Sequence, residues 1–324
     1  MGIMAGPTMR KANYDPAMSA GVITAGGCLG ILIPPSVMLV VLGPVAGVSI
    51  VKLFAAAIFP GLVLAGLYFS YAIVRSFLNP RLGPPLPKEE RPPHIWAALR
   101  ELSVGMVPLS ILIFAALGSI LAGWATPTEA SAMGALGSLL LTLAYRRLTF
   151  ERLRQAVIRT ISTSSLILFL AVASNVYGAV FTRLGTGTVI AEAMLGAPIA
   201  PMGIILLLMG IIFLLGWPLE WPAIIFIFLP IFLPVVEGLK LGFASGGDQL
   251  LWFSTLVAVN LQTAFLSPPV AMAAYYLKAV VPEWSLGQIY RGMMEFMALQ
   301  VIGLIIVVLY PPITLWLPEF LFGK

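Results

Sequence analysis

Two stretches of the chain carry oxygen-bearing residues in the pattern that a hard cation requires. Gly27, Gly30, Ile33 and Ser36 fall in Ala25-Gly-Gly-Cys-Leu-Gly-Ile-Leu-Ile-Pro-Pro-Ser36, and Asn260, Thr263 and Ser267 fall in Asn260-Leu-Gln-Thr-Ala-Phe-Leu-Ser-Pro-Pro-Val270. Both runs are largely apolar and both reach a double proline. Proline lacks an N–H and clashes with the preceding turn, so a pair of them breaks a helix and leaves carbonyls without an intrahelical donor. Hard cations take several oxygens at once, and unwound carbonyls beside a hydroxyl or carboxamide can supply them. A local reading competes: Ser and Thr hydroxyls also bond the preceding turn of their own helix.

Carboxylates are few. Glu220 sits in the interruption Gly216-Trp-Pro-Leu-Glu-Trp-Pro222 of a long apolar run, where an ionisable residue is a functional candidate. Its alternative is a tip facing a wet cavity or capping the limb that follows. Trp217 either lines that cavity or belongs to an interface belt. Glu129, in Thr126-Pro-Thr-Glu129, reads as a first-turn partner of a helix cap rather than a ligand. One Cys and one His exclude a disulfide framework and a multi-histidine or multi-cysteine metal site. Cys28 has no His within sequence reach, His94 lies in a proline-rich loop, and Ser49-Ile-Val-Lys52 falls at a helix end. No nucleophile and base are assembled, so an enzyme is not expected.

The elements that must hold these residues are membrane elements. Of 324 residues, 60% are hydrophobic and 10% charged, and the mean hydropathy is +1.02. That leaves too little polar surface for a soluble globule. The net charge of +5 is then a property of basic loops rather than a sign of nucleic acid. The expected fold is an all-α polytopic membrane protein built as an inverted-repeat secondary transporter. Its first repeat, 1–122, holds a polar loop around Arg10 to Pro16, a broken helix at 17–48, spans at 53–74 and 104–121, and a loop at 75–101 with a short amphipathic stretch near Ile95. Its second, 123–324, holds spans at 129–145 and 161–181, a re-entrant hairpin at 203–234, a broken helix at 251–279 and a span at 293–316. Each hairpin limb has about 14 apolar residues, short of the ~20 that cross a bilayer.

The repeat is visible in the flanks as well. Ser49-Ile-Val-Lys-Leu-Phe and Ser285-Leu-Gly-Gln-Ile-Tyr share a pattern, offset by 236 residues where the diprolines are offset by 234. Paired broken helices at corresponding places point to the binding region of a repeat-built transporter. Charge supports the layout: with the N-terminal loop cytoplasmic, 14 of the 18 Lys and Arg residues fall on one side, including Arg146, Arg147, Arg152, Arg154, Arg159, Lys88 and Arg91.

Gly-Ile-Leu-Ile-Pro-Pro-Ser at 30–36, Ala-Thr-Pro-Thr-Glu-Ala at 125–130, Phe-Leu-Pro-Ile-Phe-Leu-Pro-Val at 228–235 and Asn-Leu-Gln-Thr-Ala-Phe-Leu-Ser-Pro-Pro at 260–269 resemble the large membrane subunit of tripartite ATP-independent periplasmic (TRAP) transporters, over nearly the whole chain. The resemblance implies an ion-transporter-like, elevator-type permease in a bacterial inner membrane, importing an organic acid with sodium. It implies a small membrane subunit and a periplasmic substrate-binding protein as partners, no cofactor, and sodium as the coupling ion. In that setting Gly27, Gly30, Ile33 and Ser36, and Asn260, Thr263 and Ser267, are candidates for two pseudo-symmetric sodium sites. Val37, Trp217, Glu220 and Val270 are candidates for the substrate cavity, the two valines because helix N-termini there would face a carboxylate.

The pattern departs from the family at Ser267, usually Thr, and Ala271, usually Gly. The family's first hairpin, and the helices before it, have no counterpart ahead of the first broken helix. This implies a missing N-terminal part, or a split or degenerate copy. Two alternatives are a stand-alone dicarboxylate or oxyanion permease and a non-transporting truncated scaffold.

Overall fold

In the computed structural model, which describes residues 1–85, 94–269 and 271–323, the chain is helical throughout and no strand occurs among the described residues. Five helices are long and apolar enough to cross a membrane, or six if one bent pair counts as a single span. The chain is therefore an all-α, multi-pass membrane protein. The chain forms two compact units, Met1–Pro85 with Ala173–Lys324, and Leu86–Val172. This is a division by packing, whereas the repeat division at 122/123 is one of chain order.

The first unit begins with α1 (Gly2–Lys11), α2 (Pro16–Leu32), α3 (Val37–Val45) and α4 (Ile50–Leu78). α1 was not anticipated; the polar loop expected at Arg10 to Pro16 is shortened to residues 12–15, because α1 runs through Arg10 and Lys11. Its helix is held by packing, since Cβ atoms at Gly2 and Gly6 would touch Leu277 and Val281. α2 starts at Asp15, whose carboxylate accepts from Met18 N at 2.8 Å, a side-chain N-cap. α2 and α3 are bent by 46° about the first diproline. Ser49 caps α4, accepting from Lys52 N at 3.5 Å.

The unit resumes with the end of α7 (Phe150–Arg183), then α8 (Thr186–Leu195), α9 (Pro201–Leu215), and a second limb made of α10 (Trp221–Ala223), a π-turn (Ile224–Phe228) and α11 (Leu229–Gly238). α8 was not anticipated. The second limb runs to Gly238 rather than residue 234, because Pro234 is accommodated inside α11. Trp221–Gly238, at 18 residues, is one of the five stretches long and apolar enough to cross, so the short-limb argument for a re-entrant hairpin does not hold for it. Next come α12 (Gly246–Leu261), a 3-10 turn (Gln262–Phe265), α13 (Met272–Val280), α14 (Leu286–Leu309) and α15 (Pro312–Phe322). The expected last span at 293–316 is corrected at both ends. A capping box at Ser285 and Gln288 starts α14 earlier, and Tyr310 (φ −129°, ψ 76°) leaves the helix before Pro311, a position where the helical conformation is disfavoured. Ser285 thus occupies the same N-cap role as Ser49, which explains their shared pattern.

α12 is buried along most of its length, and both limbs of the hairpin pack on it, as do α4 and α14. α2 and α14 approach most closely. A Cβ at Gly292 would lie 1.8 Å from the Ala17 carbonyl oxygen, and one at Gly21 would lie 2.5 Å from the Phe296 ring. Small residues at such crossings let membrane helices touch through their backbones. Tyr68 and Tyr71 of α4 pack edge-on against Phe296, with ring centroids 5.5 and 5.4 Å away.

The second unit contains α5 (Ile95–Leu121), α6 (Pro127–Ala144) and the first part of α7. The amphipathic stretch and the span expected at 104–121 are one helix, because nothing in 95–103 interrupts the helical pattern. α7 likewise begins at Phe150 rather than 161, through the basic stretch. Thr126 is the cap of α6: its hydroxyl accepts from Glu129 N at 3.3 Å and the Glu129 carboxylate accepts from Thr126 N at 2.8 Å, which closes a capping box. α5 and α6 pack where Leu112 fills the space over Gly137. Lys88 and Arg91, placed among the basic loop residues, lie outside the described residues.

Candidate functional site

The first break follows from two missing donors. The Gly30 and Ile31 carbonyls would accept from residues 34 and 35, and both are proline. Ile33 is extended (φ −72°, ψ 124°), the conformation favoured for a residue before proline. Its side chain packs over Gly61 of α4, where a Cβ would lie 2.7 Å from Ile33 Cγ1. Ser36 joins the halves: its hydroxyl donates to the Ile31 carbonyl and accepts from Leu39 N at 3.4 Å. The serine is 3% exposed, and this one side chain pairs with a carbonyl at the end of α2 and an amide at the start of α3. Gly30 and Gly27 are exposed, with open space where a Cβ would project. Gly27 lies one turn earlier in the regular part of α2, and lines an apolar cleft of about 290 Å³ with Thr24, Phe265 and Tyr276.

At the second break α12 tightens into the 3-10 turn before the diproline. Thr263 donates to the Asn260 carbonyl at 2.7 Å, and Ser267 to the Thr263 carbonyl at 2.7 Å. These are the preceding-turn bonds of the local reading. They do not exhaust the groups, because a hydroxyl whose proton is committed to a carbonyl still presents lone pairs. Asn260 reaches out of its own helix: its amide donates to the Met209 carbonyl of α9 at 2.7 Å. Its Oδ1 is buried without a partner, and Gln262, wholly buried, has neither amide atom partnered. Buried polar atoms are nearly always hydrogen-bonded, and each exception calls for an explanation. After the diproline the Pro269 carbonyl accepts from the Tyr275 and Tyr290 hydroxyls, at 3.2 and 3.3 Å. In both breaks the proline–proline peptide is cis.

The hairpin meets both broken helices. At its tip, a Cβ on Gly216 would lie 3.0 Å from Ala264 Cβ and 3.3 Å from Ala264 Cα, so this glycine allows the tip to rest on the 3-10 turn. The π-turn of the second limb packs on α3, and π-turns are frequent at functional sites. The 3-10 turn in turn packs on α2, and α12 on α3. The two breaks and the hairpin therefore form one contiguous region.

Of the residues singled out from sequence, the structure buries Asn260, Thr263 and Ser267 along two successive turns, with Asn260 on the hairpin's Met209 and Ser267 beside Met297 of α14, and places Ser36 in the first break. Trp217 is 40% exposed and packs edge-on to Phe213 at 6.0 Å. Glu220 is exposed and has no side-chain cap bond, so it does not cap the second limb through its carboxylate. Its backbone carbonyl does accept from Ala223 N at 3.1 Å and Ile224 N at 3.3 Å. Val37 begins α3 and is 59% exposed; Val270 lies outside the described residues. Gln262 was not singled out, although a carboxamide between Asn260 and Thr263 in an apolar run is a visible signal. No grouping of three or more His, Cys, Asp or Glu residues that could hold a metal exists among the described residues. The donor set here is instead neutral oxygens, which suits a monovalent hard cation.

The chain is similar to known proteins along almost its full length. Residues 1–313 match the family described as the tripartite ATP-independent periplasmic transporter, DctM component. It is 29% identical over 323 residues to the sialic acid TRAP transporter large permease protein SiaM of Vibrio cholerae, covering 98% of this chain and 71% of that one. It is 26% identical to the C4-dicarboxylate TRAP transporter large permease protein DctM of Rhodobacter capsulatus, covering 97% and 72%. It is also 26% identical to the 2,3-diketo-L-gulonate TRAP transporter large permease protein YiaN of Escherichia coli, covering 96% and 70%. With its diproline breaks, hairpin and multi-pass helices, the chain belongs to the DctM-component family of tripartite ATP-independent periplasmic transporters, a family of transport proteins rather than enzymes.

Proposed function

We propose that this chain is the permease subunit of a sodium-coupled importer of an organic acid in a bacterial inner membrane. In this reading it works with a small membrane subunit and a periplasmic protein that delivers the substrate. The observation that carries the reading is the second break, where Asn260 Oδ1 and the Gln262 amide are buried without partners beneath a hairpin tip. Neutral oxygens of this kind can replace the hydration shell of a sodium ion, with the hydroxyl lone pairs of Thr263 and Ser267 beside them. The relatives' names give sialic acid, C4-dicarboxylates and 2,3-diketo-L-gulonate as cargo, all organic acids, which supports an anionic substrate. Selectivity among them would rest largely on the binding protein.

The test is uptake by the assembled transporter in proteoliposomes with an imposed inward sodium gradient. Labelled organic acid should accumulate when the gradient and the binding protein are both present, and should not when potassium replaces sodium. Ser36→Ala and Thr263→Ala should each raise the sodium concentration giving half-maximal rate. Uptake indifferent to sodium overturns the coupling, and uptake without any binding protein favours a stand-alone permease.

A further inference from the structure

The turn between α6 and α7 carries a charge pattern that lies outside the candidate site. Arg146, Arg147, Arg152, Arg154 and Arg159 lie within it and the first turns of α7, all exposed. The single carboxylate between residues 130 and 191 is Glu151, and it is already held by Arg154 at 3.5 Å and by Gln155 Nε2 at 2.9 Å. Arg146, Arg147 and Arg159 have no carboxylate partner among the described residues.

Local geometry gathers these charges. Arg152 folds back to donate from Nη1 to the Arg147 carbonyl at 2.6 Å, which brings the first turn of α7 over the end of α6. Arg152 and Arg159 are two turns apart on one face, separated by about 10 Å of rise. Arg147, Arg152 and Arg159 therefore form a basic ladder running from the tip of the turn down the helix. The opposite face of the same turns is apolar apart from Arg154, which pairs with Glu151: Phe150, Leu153, Val157 and Ile161 are 83, 38, 49 and 60% exposed. A helix start that is basic on one side and apolar on the other, both uncovered, matches the boundary between headgroups and acyl chains.

We propose that the α6–α7 turn is a binding surface for anionic phospholipid, with Arg147, Arg152 and Arg159 on the headgroup phosphates and the Phe150 stripe against the acyl chains. Basic segments next to membrane helices attract anionic lipid, and arginine's fork matches phosphate oxygens. The exposed apolar stripe selects lipid over free phosphate, because a dissolved anion would give that stripe nothing to bury against.

The test uses the full chain in a neutral detergent, titrated with a fluorescent phosphatidylglycerol or the matching phosphatidylcholine. Phosphatidylglycerol should bind tighter. Changing Arg147, Arg152 and Arg159 together to Gln should weaken it by about fivefold per arginine, on the order of a hundredfold in all, and leave phosphatidylcholine unchanged. The three corresponding Lys substitutions should retain most of the binding, and Arg81→Gln with Arg291→Gln should retain all of it. In the unaltered chain, raising NaCl from about 0.1 to 1 M shortens the screening length from ~10 to ~3 Å and should release phosphatidylglycerol. That measurement stands even where the triple variant does not fold. Equal binding of the two lipids, salt-insensitive binding, or equal loss in the Arg81/Arg291 control overturns the proposal. So does displacement by inorganic phosphate at matched ionic strength, which would make this a simple anion site.

Discussion

At the first diproline, α2 and α3 are separated by residues 33–36, and the Ser36 hydroxyl bonds both halves. At the second, residues 262–271 intervene between α12 and α13, the Thr263 and Ser267 hydroxyls donate to the preceding turn, with Ser267 also meeting Met297 Sδ at 3.2 Å, and buried amide atoms of Asn260 and Gln262 are left without partners. The same repeated sequence device thus yields one break bridged by a single side chain and one that leaves buried side-chain amide atoms unpaired. The physical difference is the company each keeps: Ile33 seats the first break on Gly61, whereas the second lies beneath the tip of a hairpin tied to it through Asn260 and Met209. Leaving polar atoms unpaired in a membrane interior is costly, and under the proposed function an ion bound there would offset the part due to the two carboxamide oxygens.

The contrast breaks most readily at Asn260. Asn260→Leu removes both the bond to Met209 and the free Oδ1, and should raise the sodium concentration for half-maximal uptake by about 10–100-fold. Ser36→Ala should raise it only severalfold, and equal shifts would mean that the two breaks are functionally alike.

Glycines give a test with opposite signs. Gly216→Val pushes against Ala264 and should destabilise the protein by about 1–3 kcal/mol, lowering the thermal midpoint. Gly30→Ala enters open space in a helix and should stabilise it by up to about 1 kcal/mol. Midpoints that move together would mean that the tip does not bear on the second break.

The serines sharpen the comparison further. Ser36→Ala should cost about 1 kcal/mol as the loss of a helix cap. Ser267→Ala should cost less, because the Thr263 carbonyl still accepts from Ser267 N at 2.9 Å and Leu266 N at 3.0 Å. Denaturation in one detergent would rank them, and the reverse order contradicts the account.

The smallest effect is at the outer end of the second broken helix, where Arg10 of α1 pairs with Glu283. Glu283 is held below the usual carboxylate range by its own backbone amide first and by Arg10 second, with Lys278 nearby. A depressed folded pKa contributes stability above the unfolded value, about 4.3, and loses it as pH falls through the folded value. Hydrogen exchange of the α1 amides should therefore rise only below about pH 4, and modestly, since both partners are exposed. Faster exchange at neutral pH would mean the pair does not hold α1.

Much of this architecture follows from the order of residues alone. A proline cannot donate, and two in succession leave two neighbouring carbonyls without donors, so Pro34-Pro35 and Pro268-Pro269 break their helices, whereas the single Pro60, Pro108 and Pro234 are accommodated within theirs. Thr126 with Glu129 and Ser285 with Gln288 start helices because each cap is complete within four residues. Membrane residence follows from composition. Tertiary structure decided what local chemistry cannot reach. α1 is a helix because α13 gives it a surface. Gly216 matters because Ala264 lies over it, and Asn260 is more than a helix residue because Met209, 51 residues away, takes its amide proton. Nothing in Asn-Leu-Gln-Thr distinguishes a satisfied carboxamide from an orphaned one. That distinction depends on which atoms distant segments bring near, and at Gln262 they bring none that bond.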